Sequence, residues 1–524
     1  MSETLSEKIK SLPRIKLLII LFVIWQYLSI LGMAILNWPN SLVWLNLGLL
    51  LAFIVLAPVY ESLLLLTLSV PFFVVLPNTA FDSLSMWRPL FLILFMVWIV
   101  RDKKFKYDNI TFLPWDKILA AFIVVGLAVS LLLGRFVFQG FKQVLFWANV
   151  YLFYVVLINT LRSRQQIFEF IRYVIWSLAI IITLGFTQLI GTFLTNFDTF
   201  WVFWAANITK LYYGQGFASV ALYSNSWFSY IDGRSLRMFS IMPDSQSFAY
   251  ICAFALCMGT ALTHNVFRYV KKWLWSGVRF AGLALILSGT RAVWVGMLVP
   301  FGAVLLAHFK NFQKHLANKF ILPFVIIFAL FLISPVINRG LGFLRVEVFQ
   351  ENFLGRVKSI YDLREVSNSG RLKIWQESFV YGLKNPLGTG FGNFIISLKD
   401  PTDHSYEDIA GEINQRYNLP QRYVSAHNLY LQVLVETGIL GLVVFLGFWF
   451  VLLKYLWHFI KHYRKAEDFL VYFVAQAFLA SLWVLGAAFF DITLFNDKVL
   501  FFFLIDIGLA GLIVKKYHEY ELEV

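Results

Sequence analysis

Apolar runs of roughly fifteen to twenty residues follow one another along nearly the whole chain, separated by short polar stretches. An α-helix needs about twenty such residues to cross a hydrocarbon core about 30 Å thick. The pattern predicts about fourteen spanning helices. Seven lie in the first part of the chain, at Leu17–Leu36, Leu42–Ala57, Ser62–Leu76, Pro89–Val100, Asp116–Leu133, Phe141–Ile158 and Ile171–Leu194. Four more follow at Asp244–Thr263, Trp273–Ser288, Ala292–Ala307 and Phe320–Pro335, and three at Ala426–Leu452, Phe469–Phe489 and Val499–Val514. The fold class is therefore an all-α polytopic membrane protein. No internal repeat is visible. Four regions result: helices over 1–194, a loop with central helices over 195–335, one large loop over 336–425, and the last helices over 426–524.

Composition agrees. The 524 residues are 59% hydrophobic and 18% aromatic, well above the 45–50% apolar content of ordinary globular chains. Net charge is +14. In a chain of this kind that reads as attraction to anionic lipid and as the positive-inside rule. No basic stretch is interleaved with aromatics on a soluble module, so no nucleic-acid partner is expected. Basic clusters at Arg101–Lys106, Arg162–Arg164, Arg268–Lys272, Lys310–Lys319 and Lys454–Lys465 fall on the side of both termini if the span count is even. That side is then cytoplasmic, and the 195–243 and 336–425 loops are extracytoplasmic. The run after Lys8, Lys10, Arg14 and Lys16 has no small-x-small site behind it and reads as an uncleaved first helix. Cys252 and Cys257 share one apolar segment and read as small buried hydrophobes.

Four stretches hold polar residues where a membrane helix would avoid them. "SAHNLYLQVLVETGILG" places His427 and Asn428 at the mouth of a span and Glu436 further in. On a regular helix His427, Leu431, Leu434, Gly438 and Gly441 share a face, and the glycines leave a groove for another helix or a lipid chain. Glu436 then points away from His427 and needs a partner or a proton. "LSGTRAVWVG" sets Arg291 at a turn between apolar segments, free to reach a site or to snorkel to headgroups. "SGRLKIWQESFVYGLKNPLGTGFGNF" predicts a helix with Leu372, Trp375, Phe379 and Leu383 on one apolar face and Arg371 at its start. Asn385-Pro386 ends it, and Gly388, Gly390 and Gly392 follow as a flexible turn. "GRSLRMFSIMPDSQSFAY" brings Arg234 and Arg237 to a helix that Asp244 caps.

No D-x-D, H-E-x-x-H, Walker loop or G-x-S-x-G is present, so no metal or cofactor is expected and nucleotide-driven transport has no support. Several arginines and one histidine remain on one side of a helical bundle. Guanidinium forks suit phosphate oxygens, and a neutral imidazole suits a base near pH 7. That pair fits a lipid-linked diphosphate donor and a hydroxyl acceptor.

"HNLYLQVLVETGILG" resembles the H-[NSQ]-x9-G-x-x-[GTY] signature of bacterial O-antigen ligases, with His427, Asn428, Gly438 and Gly441 in register. "SGTRAVWVG" and "GRLKIWQESF…NPLGTGFGNF" look like that superfamily's other segments, which it shares with O-antigen polymerases. "LRMFSIMPDSQSFAY" departs from its R-x-x-G…D-P-N segment: Ser240 stands for the glycine and Ser245 for the proline. The resemblance implies a GT-C-like, inverting, metal-independent glycosyltransferase of the bacterial inner membrane. The donor would be a glycan on undecaprenyl diphosphate, and the acceptor a lipid-core sugar or another lipid-linked glycan. His427 would be catalytic, Arg291, Arg371 and Arg237 would bind diphosphate, and Asn428, Glu436, Gly438 and Gly441 would support them. The competing readings are a flippase for lipid-linked sugars and a non-catalytic assembly scaffold. The polar 402–424 stretch reads as a lid over the site or as a solvated loop.

Overall fold

A computed structural model describes residues 14–77, 84–102, 110–223, 228–229, 235–263, 268–309, 366–398, 425–466 and 468–521. The expected span Phe320–Pro335, the 402–424 stretch and Arg234 lie outside them. The regular structure of the described residues is helical apart from one short hairpin, Phe228–Ser229 against Ser235–Leu236, and an isolated bridge between Val75 and Ser85. The early helices are α1 Arg14–Ile35, α2 Leu42–Leu56, α3 Val59–Ser69, α4 Trp87–Arg101, α5 Asp116–Leu133, α6 Val137–Thr160 and α7 Arg164–Leu194. Then come α8 Phe197–Phe203, α9 Lys210–Tyr223, α10 Ser245–Leu262, α11 Arg268–Leu287, α12 Arg291–Gly296 and α13 Leu298–Phe309. The set closes with α14 Val366–Lys384, α15 Leu429–His462, α16 Phe469–Ala487 and α17 Asp497–Glu521. Each expected span that falls on described residues overlaps a helix or, at 292–307, the pair α12 and α13, but at 62–76 the helix and its 3-10 continuation end at Phe72.

Seven of these helices are long and apolar enough to cross a membrane, by length and composition. The chain is a polytopic membrane protein. Two of the seven, α10 and α16, are buried over nearly their whole surface. A helix apolar all round belongs in the interior of a bundle. Accordingly α10 packs on α7, α11 and α16, and α16 packs on α12, α15 and α17. Helices α1, α5 and α7 bury less than half of theirs. Polar side chains inside the bundle pair with one another, as they must where water is scarce. Gln26 donates to Ser69 at 3.0 Å and Asn46 to Ser29 at 2.8 Å. Cys252 and Cys257 are free and buried.

Basic residues gather at one end of the bundle. Lys16 pairs with Glu169, whose carboxylate also accepts from Tyr60, and Arg101 caps the end of α2 through Val55 and Ala57. Arg164 binds Asp468 bidentately at 2.7 and 2.9 Å, and Tyr517 adds a third hydrogen bond at 3.0 Å. His427 lies at the other end, where α15 begins, α16 ends and α17 begins.

Two expectations change here. The 195–243 loop contains α8, a π turn over Trp204–Thr209 and α9. Phe200, Trp201, Trp204 and Ala205 are buried at 3- and 4-residue spacing, a pattern too short to read as a span. In α14 most of the expected apolar face is turned outward: Leu372, Phe379 and Leu383 are exposed, while Trp375 is partly buried. The small residues of the opposite side, with Ile374, pack instead on α15. A Cβ on Gly382 would sit 2.7 Å from Leu434. Small residues win this face because they let two helices approach closely.

Candidate active site

The stretch from His427 to Gly441 is no regular helix. His427 precedes it in the left-handed region, at φ 47°, and Asn428 is the N-cap, its side chain accepting from Leu431 N at 3.0 Å. Leu429 N donates to Ala488 O at 2.8 Å, which ties the His427 turn to the end of α16. Further along, α15 breaks at Gly438, where φ is 71° and ψ −172°. The face expected to run from His427 through Leu431, Leu434 and Gly438 to Gly441 is therefore interrupted twice.

The break is filled by the glycine stretch after α14. Thr389 N donates to Val435 O at 3.0 Å and Gly390 N to Glu436 O at 2.8 Å, while Ile439 N donates to Pro386 O at 2.8 Å. Each bond satisfies a backbone group that the helix break leaves open. Gly388, Gly390 and Gly392 all take positive φ. They are a fixed insert, not the flexible turn expected. The groove expected at Gly438 holds this insert, and the side of Gly441 is occupied by Thr437, 1.9 Å from where a Cβ would stand. The insert also reaches the first half of the chain. Phe391 N donates to Ser130 Oγ at 2.8 Å, and the Phe391 ring lies against Gly126 and 4.9 Å from Trp147.

Glu436 is not remote from His427 in function of the fold. Its Oε1 accepts from Gly392 N at 3.0 Å and from Gln432 Nε2 at 2.7 Å. Gln432 Oε1 in turn accepts from Ala426 N at 2.9 Å, and Ala426 O accepts from Trp375 Nε1 at 2.9 Å. One chain of hydrogen bonds thus runs from the glycine insert to the residue before His427 and on to α14. Trp375 stands one turn beyond Arg371 on α14, so the same chain links the backbone beside His427 to the helix that carries Arg371.

Arg237 and Arg291 both lie at the turn before α12. Arg237 lies against the turn before α12, its Nε 3.4 Å from Ser288 O and its Nη2 3.3 Å from Gly289 O. Arg291 is the first residue of α12 and is partly buried. Its neighbour Thr290 donates to Ser245 O at 3.1 Å, at the head of α10. Asp244 caps α10 as expected, accepting from Ser247 N at 2.6 Å. Ser240, which departs from the family's glycine, has φ 57°, the left-handed backbone that glycine supplies without strain. Gln188 of α7 holds it there, accepting from Ser240 N at 2.8 Å. Ser245 is the first residue of its helix, a position that proline also suits.

A further buried carboxylate was missed by the sequence reading. Asp491 sits in the turn after α16, 2% exposed, accepting from Ile492 N at 2.7 Å, Thr493 N at 3.2 Å and the Thr493 hydroxyl. Burial pushes its carboxyl up to about 7, Asp244 pushes it the same way, and Arg371 pulls it down. Asp491 therefore stands in the fields of Arg371 and Asp244, three residues past the carbonyl that holds the His427 turn. Its signal was a lone carboxylate inside "FFDITLF" at the end of a span. Among the described residues no three His, Cys, Asp or Glu side chains form a metal-ligand group.

Residues 251–446 match the family model described as O-Antigen ligase. The chain carries an O-antigen ligase domain. That domain is of the kind found in O-antigen ligase enzymes, and it spans less than half of the chain. The ligase domain contains Arg291, Arg371, His427 and the insert at Gly438. Arg237 lies ahead of it and Asp491 behind it. No curated protein matches the chain.

Proposed function

We propose that the protein is an inverting, metal-independent glycosyltransferase that moves a glycan from undecaprenyl diphosphate to an acceptor hydroxyl. The observation that supports this reading is the hydrogen-bond chain that links Ala426, the residue before His427, to Trp375, one turn from Arg371, within a match to the O-antigen ligase family. The acceptor oxygen attacks the anomeric carbon and forms the new glycosidic bond. His427 takes the hydroxyl proton. The bond from that carbon to the phosphate oxygen breaks, and its electron pair leaves with the diphosphate. Arg291, Arg371 and Arg237 offer guanidinium forks to the charge that the diphosphate gains. Asn428 caps α15 and sets the position of His427. The architecture on this reading is GT-C-like, with about fourteen spans and the His427 end facing out of the bacterial inner membrane.

The test is turnover by purified protein in nanodiscs with chelator, an undecaprenyl-diphosphate-linked glycan and a panel of acceptors. Wild type releases undecaprenyl diphosphate, and His427→Ala loses on the order of 10² or more of the rate. Full activity of His427→Ala overturns the general-base role. A cysteine placed beside Arg371 and labelled from both faces separates transferase from flippase, since only a flippase exposes it alternately.

A further inference from the structure

α14 and the first stretch of α15 run side by side in the same direction. Trp375 Nε1 donates to Ala426 O, Gly382 packs against Leu434, and Pro386 O accepts from Ile439 N at 2.8 Å. The chain then turns back, since Thr389 N and Gly390 N donate to Val435 O and Glu436 O. Phe391 and Asn393 carry it on to Ser130, near the end of α5, and to Phe136, before α6. The segment thus descends beside α15, reverses at Pro386–Gly388 and climbs again.

α15 sets the depth of that reversal. Beyond its break the helix is apolar up to Lys454, with Ile439, Leu440, Val443, Leu446 and Phe450 exposed. A hydrocarbon core about 30 Å thick takes about twenty helical residues. Counted back from Lys454 the core reaches Leu434, and counted from His458 it reaches Gly438. Pro386 and Leu387 meet Gly438 and Ile439, so they lie inside the core on the first count and at its edge on the second. The outward side of α14 runs into the same surface: Phe379, Val380, Leu383 and Leu387 are exposed and continue into Ile439 and Leu440. A contiguous apolar patch of this kind marks a surface that water does not cover. Lys384 flanks the stripe, and its stem is long enough to carry the ammonium up to the headgroups. The backbone meets the same demand. Non-helical backbone persists at membrane depth only where protein satisfies its polar groups. Every residue from Gly388 to Asn393 is buried, and each N–H has a partner: Asn385 O, Val435 O, Glu436 O, Ser130 Oγ, Glu436 Oε1 and Gly390 O in turn.

We propose that α14 and the glycine insert form a re-entrant segment, its tip at Pro386–Gly388 seated in the lipid hydrocarbon of the leaflet at the His427 end. Lipid acyl chains cover the stripe from Phe379 to Leu387. The proposal needs only the membrane reading of the chain, not the transferase one. It moves part of the 336–425 loop from water into the bilayer. The same helix carries Arg371 about four turns above the tip, clear of the core.

The experiment places one nitroxide label at a time on the full-length protein, in nanodiscs that hold a single copy. The labelled variants are Leu372→Cys, Phe379→Cys, Leu383→Cys and Leu387→Cys. Leu446→Cys is the lipid reference and Lys461→Cys the water reference, both at exposed positions. Cys252 and Cys257 are buried and stay unlabelled. Each label is read for collisions with molecular oxygen, which concentrates in lipid, and with a nickel chelate, which stays in water. The Leu387 label should lose nickel collisions down to the level of the Leu446 label. The Leu372 label should keep those of Lys461, with Phe379 and Leu383 graded between. All four replaced side chains are exposed, so the labels displace no packed neighbour. Nickel collisions at Leu387 equal to those at Lys461 overturn the proposal. Equal depth at all four positions overturns it too, and lays α14 flat on the membrane surface. Labels at Leu383 and Leu387 that neither probe reaches would put protein, not lipid, over the stripe and overturn it as well.

Discussion

Gly438→Ala is the sharpest test of how the ligase domain is held together. Its φ of 71° and ψ of −172° lie in a region that is essentially closed to other residues, at a cost of about 1–3 kcal/mol. The new Cβ would stand 2.2 Å from Pro386 O and 2.6 Å from Leu387 C. Those are backbone atoms of the insert, and they yield only if the insert withdraws. Withdrawal breaks the bonds at Thr389 N, Gly390 N and Ile439 N, which are 2.8–3.0 Å long. Each contributes about 1 kcal/mol net. Straightening of α15 recovers part of this on the helix side, but the insert keeps its unmet donors. We expect a loss of at least about 3 kcal/mol, seen as a fall of roughly 3–6 °C in thermal unfolding. We also expect new protease cleavage between Asn385 and Asn393. Gly447→Ala is the control on the same helix, since nothing lies within 4 Å of its Cβ. It should gain up to about 1 kcal/mol from helix propensity. If Gly438→Ala unfolds with wild type and resists protease equally, the insert does not depend on the break.

Gln432→Leu removes the link between Glu436 and Ala426 N and should cut turnover about tenfold or more with donor affinity little changed; an unchanged kcat would show that the chain does not position His427. Arg371→Lys should lose most activity, because an ammonium cannot form the bidentate contact; wild-type turnover would refute bidentate phosphate binding. The Asp491 carboxyl is raised by burial from 3.8 to about 7, so the folded protein keeps a proton that the unfolded chain has released. That contribution to stability is full below about 4 and is lost as pH rises to about 7. Thermal unfolding across this window should show wild type losing stability with rising pH and Asp491→Asn losing less; identical slopes would remove Asp491 as a source of the dependence.

The spans were legible because each is a long apolar run, and in lipid such a run has only helix as a way to satisfy its backbone. Its position and length are therefore local properties. The cap at Asp244, the start of α12 at Arg291 and the end of α14 before Asn385-Pro386 were legible for the same reason, since caps and prolines act within a few residues. The helix from His427 to Gly441 was read as regular because its apolar content is continuous. Nothing local says that Gly438 will be met by Pro386, fifty-two residues earlier in the chain. The outward face of α14 was misread on similar grounds: hydrophobicity alone cannot tell a face that meets another helix from one that does not.

By itself, then, the sequence determined a helical membrane protein, the places where its helices begin and end, and the histidine and arginines that such a chain has little reason to bury. The tertiary structure decided which distant groups meet. It closed the break in α15 with the glycine insert, ran a hydrogen-bond chain from Gly392 to Trp375, and set Asp491 in the fields of Arg371 and Asp244. Those outcomes depend on hydrogen bonds and charges exchanged between segments far apart in the chain, and such pairings leave no period in either segment alone.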